Sequence, residues 1–201
     1  FHQIYQRVHN FCVVDMGGFY LDIIKDRQYT TQTDSVARRS AQTALYYIAE
    51  AMVRWLAPIL SFTAEEIWRP LPGPRGDSVF LETWYEIPAM CADVPEADAS
   101  LAFWDKVIAV REIVGKELER LRVAGGIGSG LDAEVVLFCG REIHDQLSRL
   151  GDELRFVFIT SAARVHDTTE VPEEAVHFTL PSGDEFWVTV APSAYAKCVR
   201  C

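Results

Sequence analysis

Cys198 and Cys201, in AKCVRC, have the C-x-x-C spacing of half a tetrahedral zinc site. Thiolates are the liganding form, and Lys197 and Arg200 beside the pair favour it. A structural zinc needs about four protein ligands, so the pair would be completed by residues elsewhere. A second group of residues suits different chemistry. Lys25, Arg27, Arg38 and Arg39 flank the polar break TTQTD (30–34) between two helical patterns. Cations at one helix end, next to the free N–H groups of another, can receive phosphates. Gln28, Tyr29 and Gln42 add hydrogen-bonding and stacking groups suited to exposed bases. The same stretch also fits a solvated helix junction, with Asp26 and Asp34 pairing the basic residues.

Other motifs carry less. VAGGIGSG (123–130) is Gly-rich, but a helix precedes it, a strand pattern follows, and no Lys is present, so it reads as a turn rather than a phosphate cradle. His2, His9, His144, His166 and His177 make no metal-binding array, and there is no G-x-S-x-G elbow. No catalytic residue is assigned. Cys12 and Cys139 lie in apolar stretches and are expected to be buried, reduced thiols; Cys91 lies in a linker-like stretch. Five scattered cysteines argue against a secreted disulfide framework and for a reducing cytoplasm.

The elements that would position these groups follow from periodicity. Ile4, Val8, Phe11, Cys12, Met16, Phe19 and Ile23 predict a helix over 1–29, weakened at Gly17 and Gly18. Asp34 or Ser35 can cap the next helix, which runs to about Leu56, with a break at Pro58. Thr63-Ala-Glu-Glu66 has capping-box spacing and predicts a short helix stopped by Pro70 and Pro72. Residues 78–86 look extended, and 87–100 have a linker's composition. A long amphipathic helix over 101–122 presents Leu101, Trp104, Ile108, Arg111, Val114, Leu118 and Leu121. AEVVLFC (133–139) and LRFVFIT (154–160) read as strands around a helical REIHDQLSRLG, and 176–180 and 186–190 as a hairpin about PSGDE. The fold class is α followed by α/β: a helical part over 1–86, a linker over 87–100, and a small mixed α/β part over 101–195.

The chain has 201 residues, about half of them apolar, and a net charge of −10. That excludes a disordered tail, and no apolar run reaches the roughly 18–20 residues needed to span a membrane. The acidic excess lies downstream: residues 1–72 hold seven Lys/Arg and seven Asp/Glu. A local basic patch on the first part therefore survives the overall charge. The opening FHQIYQRV falls in mid-helix pattern and the ending in mid-motif, so a segment of a longer protein is expected.

FYLDIIKDRQYT and DSVARRSAQTALYYIAEAMVRWLAPILSFTAEEIW resemble the anticodon-binding helical bundle of bacterial isoleucyl-tRNA synthetases. FWDKVIAVREIVGKELE, IGSGLDAEVVLF and LGDELRFVFITS resemble that family's C-terminal junction region, and KCVRC resembles the start of its zinc module, placed here at 196–201. The related valyl, leucyl and methionyl enzymes share a bundle of this kind. The resemblance implies an isoleucine tRNA as partner, bound through its anticodon stem-loop, by a monomer without an obligatory protein or membrane partner. It implies zinc at Cys198 and Cys201 once the remaining ligands are supplied. ATP and magnesium would act on a catalytic domain whose His-Ile-Gly-His-like and Lys-Met-Ser-Lys-Ser-like signatures do not occur in these residues. A structural or protein-interaction module, its acidic faces binding a basic partner, is the competing reading.

Overall fold

The computed structural model describes residues 1–88, 100–168 and 171–196. The chain divides into two compact units, Phe1–Ala92 and Asp93–Cys201. No described helix is long and apolar enough to cross a membrane. The architecture is helical in the first unit and mixed α/β in the second, as the periodicities predict; the first strand begins at Ala133.

The first unit opens with a rod: α1 (His2–Asn10), a π-helical stretch Phe11–Tyr20, and a further α turn Leu21–Ile23. The switch to wider turns has a reason in the sequence. Ile4, Val8, Cys12, Met16, Tyr20 and Ile24 recur strictly every fourth residue. An α-helix, at about 3.6 residues per turn, overshoots that repeat and would wind the stripe around the rod. The i→i+5 turns of a π-helix undershoot it, so alternating the two keeps the stripe on one side. The stripe is lightly covered, and Ile24 is its first buried member. Cys12 is exposed rather than buried, on a part of the rod that holds no buried residue.

A bend at Ile24 leads into α2 (Lys25–Tyr29), then α3 (Val36–Leu56) and α4 (Ser61–Trp68). α4 starts two residues before the Thr63 box. The chain turns directly out of α3 through Leu60 N–H to Leu56 C=O (2.7 Å), and Ser61 Oγ bonds the Ala57 carbonyl (3.0 Å). Glu65, which that box would not have used, has a task of its own. It accepts from Ser78 Oγ (2.9 Å) and Val79 N–H (3.1 Å), and the Ser78 bond holds its carboxyl below the usual range. Residues 78–86 form no strand: Val79–Leu81 is a 3₁₀ turn followed by irregular chain. Val53, Ala57, Ala64, Trp68 and Val79 make the core, with Leu71 against it.

One charged group sits inside this unit. Glu50 is 3% exposed. It accepts from Arg54 Nη1 (2.6 Å) and Arg75 Nη2 (2.8 Å). Both guanidiniums lie over the Trp68 ring, at 4.9 and 4.4 Å, and Arg54 also faces Tyr85 (4.8 Å). Trp68 Nε1 donates to Gly76 C=O (3.0 Å) and Trp55 Nε1 to Tyr85 C=O (3.0 Å).

In the second unit α5 (Leu101–Val123), capped by Ser100, buries Phe103, Val107, Val110, Val114 and Leu118. The seam lies beside the one read from the sequence. Leu101 is 82% exposed, and Arg111 uses its Nε to bond the Val157 carbonyl (2.9 Å). Flanking apolar residues widen the stripe, and the sheet selects its Phe/Val side. β1 (Ala133–Cys139), α6 (Arg141–Ser148), α7 (Leu154–Phe158), β2 (Ala162–Asp167), β3 (Val176–Thr179) and β4 (Glu185–Pro192) follow.

LRFVFIT is therefore helix, not strand. Leu154, Val157 and Phe158 are buried at i, i+3 and i+4, and Ile159 ends the turn in the left-handed region (φ 56°). The strand comes just after, in AARVHD. The sheet order is β2-β1-β4-β3, with β1 and β2 parallel and the rest antiparallel. The predicted hairpin forms at PSGD, where Gly183 takes φ 89°. Cys139 is buried, and burial pushes its thiol up to about 12.

Leu137→Ala, at a fully buried site in β1, should cost about 2–5 kcal/mol. Leu101→Ala should stay within about 0.5 kcal/mol. Urea denaturation followed by far-UV circular dichroism measures both. Equal effects would mean the α5 seam is misplaced.

Candidate nucleic-acid interface

The junction between α2 and α3 is built from short-range bonds. Thr30 Oγ1 donates to Asp26 C=O (2.7 Å) and Thr31 Oγ1 to Arg27 C=O (2.6 Å), closing α2. Ser35, not Asp34, caps α3: its Oγ accepts from Arg38 N–H (3.3 Å), as a cap with extended backbone does. Ser35 Oγ also meets Thr31 Oγ1 at 3.1 Å. These hydroxyls satisfy backbone groups at both helix ends and fix the turn that separates the cations.

The four cations have unequal surroundings. Lys25 Nζ lies 2.5 Å from Asp22 Oδ1, and that bond raises the ammonium pKa while the side chain stays open to water. Its partner is Asp22 rather than Asp26 or Asp34. Arg27 lies near Tyr20: burial raises the Tyr20 phenol and the Arg27 charge partly offsets it. Arg38 reaches back to Thr31 C=O (3.4 Å) and so braces the turn. Arg39 is exposed, and its guanidinium has no ion pair among the described residues. Tyr29 is 84% exposed, Gln42 is exposed, and Gln28 Nε2 is buried without a hydrogen-bond partner.

The surface thus offers an open ring at the end of α2 and an open guanidinium in the first turns of α3. Such groups can stack on a base and hold a phosphate. Sequence reasoning located the cluster but did not separate Arg38, which holds the turn, from Arg39, which does not. The Ser35–Arg38 spacing, cap to N3, signals only the bond to the Arg38 backbone N–H; the guanidinium's reach to Thr31 has no signal in the sequence. Cys198 and Cys201 lie outside the described residues. Among the described residues no group of three or more His, Cys, Asp or Glu side chains could hold a metal.

Residues 1–137 match the family described as the anticodon-binding domain of tRNA ligase. The match runs through the helical unit and α5 into β1. Proteins named isoleucine–tRNA ligase align with the whole chain: 61% identical in Nitrosococcus oceani, 60% in Alkalilimnicola ehrlichii and 58% in Halorhodospira halophila. The chain spans 21% of the length of each.

Ser35→Ala removes the cap of α3 and one support of the turn. It should lower stability by about 0.5–2 kcal/mol, seen as a shifted thermal transition. An unchanged transition would show that the turn is held without it.

Proposed function

Because the chain belongs to the anticodon-binding family of tRNA ligases, we propose that it holds the anticodon stem-loop of an isoleucine tRNA. It would do so as the RNA-binding part of an isoleucine–tRNA ligase that joins isoleucine to its tRNA with ATP and magnesium. That chemistry, in the cytoplasm, would belong to a catalytic domain outside these 201 residues. Unpaired anticodon bases present edges and faces that an A-form stem hides. The observation that carries the reading is that Tyr29 and Arg39 are both exposed, one on each side of a turn held by Thr30, Thr31 and Ser35. Lys25, Arg27 and Arg39 would meet phosphates. Tyr29 would stack, Gln28 and Gln42 would offer amides, and Arg38 would keep the turn in shape while lending its charge. The names of the relatives favour isoleucine over valine or leucine.

The test is titration of this chain with an isoleucine-tRNA anticodon stem-loop at several salt concentrations. Arg39→Gln should weaken binding and flatten the salt slope by about one. Unchanged affinity and slope would remove Arg39 from the interface. Wild-type chain that binds this RNA no better than an unrelated hairpin would overturn the whole reading.

Cys198 and Cys201 would supply two thiolates of a structural zinc in the longer protein, ordering the chain around them rather than touching the reaction. Two thiolates fill half of a tetrahedral shell. Metal analysis of this chain should therefore find well under one zinc per molecule, and tightly held stoichiometric zinc would mean that other residues of the chain complete the site.

A further inference from the structure

β2 ends the sheet, and no strand covers its outer edge among the described residues. A cavity of about 500 Å³ lies there, its lining including Arg155, Arg164, Ser161, Tyr195, Asp152 and the small residues Ala162 and Ala163. Two parts of its lining, Arg164 and the segment before Tyr195, are held by one carboxylate. Glu134 Oε2 accepts from Arg164 Nη1 (3.2 Å) on β2. Glu134 Oε1 accepts from Ser193 Oγ (3.0 Å) and Ala194 N–H (3.1 Å), just before Tyr195. Ser193 Oγ also lies 3.0 Å from Ser161 Oγ and accepts from Tyr195 N–H (3.1 Å). The Ala194 N–H leads the bonds that hold the Glu134 carboxyl below its usual range. Arg155 lies 4.6 Å over the Phe156 ring, which pre-orients its guanidinium.

We propose that this cavity binds one unstacked nucleotide of an RNA, its phosphate between Arg155 and Arg164 and its base on Tyr195. The inference rests on the RNA-binding reading above and adds a contact on the second unit. The volume is in the range of small-ligand sites. Tyr195 is 64% exposed, so a ring face is open for stacking. Arg155 and Arg164 balance Asp152 and Glu134 in charge, and the Asp152 carboxylate can accept from an exocyclic amine and would repel an acidic peptide. The strip continues beyond the cavity. Two residues along β2 on the face of Arg164, His166 stacks on Phe138 (5.7 Å), and across β1 Trp187 meets His177 (4.8 Å). Phe138 is itself buried, so the rings of this row open to bases are those of His166, Trp187 and His177.

The two contact types separate experimentally. With the anticodon stem-loop as probe and this chain as protein, Arg155→Gln should flatten the salt slope by about one. Tyr195→Ala should weaken binding about tenfold with the slope unchanged, as loss of a stacking ring does. Neither side chain fills the core, and near-UV circular dichroism checks the fold. Wild-type affinity and slope in both variants, while Arg39→Gln still weakens binding, would overturn the cavity and leave the first reading intact. Failure of the wild-type chain to bind the RNA would overturn both. Binding of a poly-glutamate peptide that Arg155→Gln abolishes, with RNA binding untouched, would assign the cavity to an acidic peptide instead.

Discussion

Glu50 is the constraint around which the helical unit is arranged. A carboxylate taken out of water is costly unless paired and hydrogen-bonded. Here Arg54 supplies one partner from the same helix, one turn on, and Arg75 supplies the other from the far side of the Pro-rich turn. To reach Glu50, Arg75 must bring residues 70–76 back across Trp68, whose indole N–H then finds Gly76. Arg54 in turn reaches Glu82 (3.5 Å), and its guanidinium lies against Tyr85. The irregular chain after α4 is thus folded by charge and rings as much as by its single buried Val79. Removing one partner of such a group typically costs about 3–5 kcal/mol, because the other charge stays buried.

This arrangement separates two tasks along α3. Its last turns are pinned by Glu50 and Arg54 in the core. Its first turns, about 20 Å away, carry Arg38, Arg39 and Gln42 at the surface. A helix anchored at one end can present a cation such as Arg39 at the other, while Arg38 beside it braces the turn. In the second unit Glu134 plays a related part, since one carboxylate sets both Arg164 and the segment bearing Tyr195. A chain of net charge −10 can in this way keep local cationic surfaces, its carboxylates partly spent on orienting its own arginines.

The elements with strong, isolated signals were legible. Ser35 before a 3.6-residue pattern, Pro58 at the end of α3, AEVVLFC as a buried strand and PSGD as a hairpin all stand where the residues imply. LRFVFIT was not legible as helix, because a short apolar run fits both periods and the outcome was set by what packs on it. AARVHD lacks a strand's usual residues. It pairs because it follows the crossover and can lie beside β1 as an edge. The α5 seam was ambiguous for another reason: the helix is apolar over so wide a face that only the sheet decides its centre. At the α2–α3 junction the residue types were readable from the sequence. The division of labour between Arg38 and Arg39 needed the hydrogen bond to Thr31.

The mixed winding of the first rod has a consequence for how its length can change. A π turn holds one residue more than an α turn for each hydrogen bond it closes. Losing a single residue between Phe11 and Tyr20 would let a wide turn tighten to an ordinary one with its bonding intact. Orientation would be kept as well: the tightened turn still closes one full circle, so Ile4 and Val8 would stay near the line of Tyr20 and Ile24. In this segment a one-residue indel can be taken up by the width of a turn, so the rod tolerates a change of length that an ordinary helix would register as a rotation.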